Sequence, residues 1–120
     1  MTQEYNIEQQ WHHTLGDRRT AIAATLRDAD RAPVDLTGHT VAFRLTRASD
    51  DTVKINSAAA TVDSALLGQV SYALSAADHT AIATAGDHWA WFIVTRTSDS
   101  KVDHYPPEGK RWRVTMHTAY

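Results

Sequence analysis

The chain has 120 residues, 42% of them hydrophobic and 22% charged, with a formal net charge of -2 and no cysteine. That composition suits one globular domain large enough for a core without staples, and it excludes a disulfide framework or a thiolate metal site. The charge argues against phosphate-backbone binding as the main role, since that needs a concentrated positive face.

The first segment, "MTQEYNIEQQ" onward, has neither the basic nor the apolar region of a secretion signal, and residues 1–14 read as an N-terminal arm before a single domain over 15–120. From there the chain reads as short strands divided by turn chemistry. Thr20 to Arg27 place Ile22, Ala24 and Leu26 on one face, and "DADRAP" turns the chain. His39 to Arg47 alternate cleanly, with Val41, Phe43 and Leu45 inside and Ala42, Arg44 and Thr46 outside. After "SDD" come a strand over Thr52 to Ile55, a weaker one over Ala59 to Val62, and a third over Gly68 to Leu74 with Val70, Tyr72 and Leu74 on one face.

One helix is expected in Ser75 to Gly86: Ser75 stands as N-cap with Asp78 three residues on, and Gly86 closes the end. Then comes "AGDHWAWFIVTRTSD", Ala85 to Asp99, a strand apolar on both faces, followed by "SDSK", "VDHY", a "PPEG" turn and a last strand over Arg111 to His117. Its apolar run "HWAWFIV" is too short to cross a bilayer. About eight short strands with almost no helix predict an all-β antiparallel sandwich.

The chemistry tests return little. No histidine spacing with a nearby carboxylate completes a ligand set, so no metal site is expected. Three Asp-His neighbours, Asp78-His79, Asp87-His88 and Asp103-His104, do not make a triad, and neither a Gly-x-Ser-x-Gly elbow nor a phosphate-binding glycine pattern occurs. The expectation is no enzyme, no catalytic residue and no cofactor. Arg111 and Arg113 read as solvated charges.

The order of the pieces Gly16-Asp17, Asp35-Leu36-Thr37-Gly38, Gly68-Gln69-Val70, Asp78 and Ala85-Gly86 resembles the immunoglobulin-like β-sandwich domains of tailed-phage virion proteins, the family of baseplate upper protein N-terminal domains and long-tail-fibre sandwiches. The resemblance covers Leu15 to His117. Two departures stand out: "TSDSK" lacks the family's turn glycine, which Ser100 or Asp99 must replace, and His88 takes the place of an aromatic residue.

The family register turns His88, Ala90, Phe92 and Val94 inward and leaves Trp89, Trp91 and Ile93 outward, whereas the opposite register puts both tryptophans in the core. An outward apolar stripe implies a partner interface over Trp89, Trp91 and Ile93, with Trp11 able to fold back over it. The resemblance therefore implies a non-enzymatic virion protein docking at the tail tip or baseplate. Its partners would be other phage virion proteins and copies of itself, with no nucleic acid and no membrane. A capsid or neck accessory protein, of the decoration or minor capsid kind, is the alternative within that class. A carbohydrate-binding module stacking sugar on Trp89 and Trp91 is the alternative outside it.

Overall fold

The computed structural model describes residues 6–17, 19–107 and 109–118. The larger of two sheets runs β1 (Asn6–Thr14), β9 (Lys110–His117), β7 (Gly86–Arg96), β3 (His39–Arg47) and β4 (Val53–Ala59), with β8 (Val102–Tyr105) pairing the C-terminal half of β7. The smaller sheet runs β2 (Ile22–Thr25), β6 (Gln69–Tyr72) and β5 (Thr61–Ser64). The fold is an all-β sandwich with one short helix, α1 (Ala76–Ile82), and no helix among the described residues is long and apolar enough to cross a membrane.

The alternating apolar positions of the sequence meet between the sheets. Val41, Phe43 and Leu45 of β3, Phe92 and Val94 of β7, and Trp112, Val114 and Met116 of β9 face Ile22, Ala24 and Val70 of the smaller sheet. Phe43 ties the layers together: its ring stacks on Tyr72 of β6 at 4.7 Å and tilts against Phe92 at 5.1 Å. Between β4 and β5 the chain changes sheets at Ala60, whose N–H donates to Val41 O. The strand expected over Thr52 to Ile55 runs on through a register shift near Ser57 to Ala59, so the corner lies later than local alternation implied.

The segment expected as an arm is a strand over Asn6–Thr14, parallel to β9 at the sheet edge, so the sheet is mixed rather than purely antiparallel. The pairing satisfies β9 backbone groups that would otherwise stand open. Residues 1–5 of the arm and Glu108 of the expected turn lie outside the described residues.

At α1, Ser75 Oγ accepts from Asp78 N–H while the Asp78 carboxylate accepts from Ser75 N–H, the reciprocal cap that the sequence spacing implied. Asp78 also accepts from the Tyr72 hydroxyl; burial first, and this carboxylate second, push the phenol well above its ordinary range. The helix ends at Ala83, with φ of 63°, rather than at Gly86, which opens β7. Ala83 N–H still makes the helical bond to His79 O, but the positive φ of Ala83 turns the next N–H, that of Thr84, back onto Ile82 O, and this stops the helix three residues early. In the "TSDSK" turn, Ser100 adopts φ of 59° in place of the missing glycine, and its N–H donates to Arg96 O. A left-handed residue with a side chain costs about 1–2 kcal/mol.

Candidate docking face

On β7 the inward positions are His88, Ala90, Phe92 and Val94, all buried, while Trp89, Trp91 and Ile93 point outward and are half-buried. The β3 register fixes this, pairing Phe43 with Phe92 inside, and Arg44 with Trp91 and Ala42 with Ile93 outside. Thr46, across from Trp89, is itself buried on this face.

Arg111, read from sequence as a solvated charge, lies with its guanidinium 5.8 Å from the Trp89 ring centre and 5.5 Å from that of Trp91. Cation–π contacts of this kind contribute about 0.5–1 kcal/mol each at partly exposed sites. The signal was latent in the spacing: Arg111 and Arg113 alternate on β9 as Trp89 and Trp91 do on β7, and antiparallel pairing of Trp89 with Arg113 sets the two rows side by side. A ligand stacking on the ring faces turned to Arg111 would first have to displace it, which weakens the sugar-platform reading.

The face continues in polar side chains with a definite hydrogen-bond direction. Arg113 Nη2 donates to Gln10 Oε1 at 2.7 Å, so the Gln10 amide nitrogen donates to His12 Nε2 at 3.1 Å. That leaves His12 donating through Nδ1 to His117 Nε2 at 2.8 Å. Asp87 accepts from Thr115 Oγ1 at 2.7 Å and stands 4.0 Å from Arg113.

Trp11 does not join this face. It pairs with Val114, an inward residue, packs edge-on against Trp112 at 5.7 Å and donates to Ala23 O of the smaller sheet. Parallel pairing with β9 at this register carries its side chain between the sheets, where it closes the edge of the core. His13, the next inward residue of β1, stacks on His79 of α1, and both rings reach the carbonyl oxygen of Asp17.

The Asp-His neighbours are dispersed. Asp78 caps a helix, His79 accepts from Gly16 N–H, His88 is in the core, and Asp103 and His104 are exposed. Among the described residues no three His, Asp or Glu side chains converge as metal ligands. A cleft of about 710 Å³ does open between β1, β8 and the turn after β2, lined by Glu8, Arg27, Asp28, Arg31, Asp103 and Lys110 among others. Its Glu8 carboxylate accepts from Lys110 Nζ at 2.8 Å and Trp112 Nε1 at 3.1 Å, and the Lys110 bond holds it below the usual carboxylate range. These bonds tie β1 to β9 and orient Trp112.

His88 carries a pH dependence. Its Nδ1–H donates to Gly86 O at 3.0 Å, and its Nε2 is buried with no hydrogen-bond partner among the described residues. Burial, with Arg47 and Lys54 adding to it, lowers its pKa below the ordinary 6.5, while the Gly86 carbonyl and Asp87 oppose. The folded chain thus keeps His88 neutral where the unfolded chain protonates it. Its contribution to stability is full above about pH 6.5 and is lost as pH falls toward the depressed value. In paired denaturation curves at pH 7.5 and 5.5, His88→Leu is expected to lose less stability on acidification than the parent chain. Equal losses would assign the pH dependence to other groups.

No family model matches the chain, and no curated protein matches it. Among solved structures, the N-terminal domain of phage TP901-1 ORF48 superposes with a TM-score of 0.62 at 15% identity, over 98% of this chain and 91% of that one. The chain therefore has the same fold as that phage domain.

Proposed function

We propose that this chain is a non-enzymatic structural protein of a tailed-bacteriophage virion, an immunoglobulin-like sandwich that docks at the tail tip or baseplate. The observation that carries the reading is the fold shared with a domain of a phage protein along 98% of the chain. The order of turn motifs from Gly16 to Gly86 agrees with it and supports the tail location. Trp89, Trp91 and Ile93 form the docking face: tryptophan and arginine side by side on the outer face of a sheet are the composition in which interface energy concentrates. Its partners are other virion proteins, and it works without catalysis, cofactor, nucleic acid or membrane.

The test is Trp91→Ala, scored by the amount of chain in purified particles. Trp91 is outside the core and half-buried by its neighbours, so the fold should persist by circular dichroism. Incorporation should fall about 30-fold, the equivalent of a hot-spot loss of about 2 kcal/mol. Normal incorporation of a folded variant would remove this face from the assembly.

A further inference from the structure

We infer that the occupant of the Trp89–Trp91–Ile93 face is an acidic, partly apolar segment of a different protein, and not a second copy of this chain. The inference rests on the docking role proposed above and names the partner chemistry. The two outer faces of the sandwich differ in charge. Among the described outward strand positions of β3, β7 and β9 stand three guanidiniums, Arg44, Arg111 and Arg113, against the single carboxylate of Asp87. On the outer face of the smaller sheet the charged strand residue is Asp63. A chain of net charge -2 has thus gathered basic groups around the two tryptophans that point outward from β7.

Charge complementarity selects the occupant. Two copies meeting through this face would set three guanidiniums and one carboxylate against the same set, a net repulsion, whereas an acidic segment meets a face of net positive charge. Arg44, directly across from Trp91, reaches Asn56 Oδ1 at a long 3.4 Å, a neutral contact that a carboxylate would improve on. Arg113 is held in place by Gln10 and Asp87, so the charge is presented from a fixed position. Beside the Arg44–Trp91 pair, Ile93 and Ala42 offer aliphatic surface that suits an apolar side chain. A nucleic-acid backbone fits less well: three guanidiniums are few for phosphate binding, and Arg111 lies over the rings on which a base would stack.

The test uses particles assembled with the full chain carrying photoreactive p-benzoyl-phenylalanine at position 93 or, as a second site less central to the face, at position 95, together with Arg44→Glu and Arg44→Lys. The expected result is an adduct on a peptide of another virion protein with Asp or Glu beside the cross-linked residue. Incorporation should fall at least 10-fold for Arg44→Glu and stay within about 2-fold for Arg44→Lys. An adduct to a second copy of this chain or to nucleic acid would overturn the inference while leaving the virion role intact. So would normal incorporation of Arg44→Glu. Particles that contain the chain but give no adduct at either position would overturn the inference and the docking face together. Particles that lack the chain would remove the virion role itself and the inference with it.

Discussion

Phe43→Ala is expected to cost about 3–5 kcal/mol of folding stability, the range for deleting a fully buried phenylalanine ring from a core. Phe43 has 0% exposure and touches both layers, stacked on Tyr72 with an interplanar angle of 12° and tilted against Phe92 at 58°. Its loss leaves a cavity where the two sheets meet, bounded by β-ladders that cannot easily close over it. Domains of this size have about 5–15 kcal/mol in all, so the variant should melt well below the parent or populate the unfolded state at 37 °C. Urea denaturation of the parent, Phe43→Leu and Phe43→Ala gives the measurement. Phe43→Leu keeps most of the volume and should lose distinctly less. If the alanine variant loses under about 1.5 kcal/mol, the site collapses and the ring does not pin the layers.

Gly68→Ala should be the second most damaging change, at about 2–5 kcal/mol, combining left-handed strain of about 1–2 with overpacking of about 1–3. Gly68 has φ of 65°, and an added Cβ would stand 2.7 Å from Leu26 O and 2.8 Å from Val34 O. Both are backbone atoms, so relief requires moving the chain, and Gly68 O accepts the Leu26 N–H at 2.8 Å in the same contact. Gly38→Ala is the control: φ is 75°, but nothing lies within 4 Å of the added carbon. It should lose only the conformational part, about 1–2 kcal/mol. Equal losses in thermal melts of the two variants would mean that the close approach at Gly68 contributes nothing.

Much of this molecule was legible in the chain itself. The inward sets Val41–Phe43–Leu45 and Ile22–Ala24–Leu26 follow from period-two alternation, and all six residues are buried. The Ser75–Asp78 cap follows from a spacing of three residues. Both are local, decided by neighbours within a few positions. On β7, where both faces are apolar, alternation was silent. The motif resemblance supplied the register that put His88, Ala90, Phe92 and Val94 inside.

Pairing between distant segments had no such signal. Asn6–Thr14 is mostly polar, and only its parallel alignment with the last strand makes it an edge strand. The same alignment sends Trp11 between the sheets instead of over Trp89 and Trp91. Arg111 looked like one more charge on an outer face until β9 was laid beside β7 and its guanidinium came to rest over both rings. By itself, then, the sequence determined most strands after the first segment, the inward faces where apolar and polar residues alternate, and the capped start of the helix, because each depends on side chains within a few residues. Which strands lie side by side, and hence what covers each tryptophan, was decided only by the tertiary structure, because backbone hydrogen bonding between remote strands leaves no periodic trace in either one.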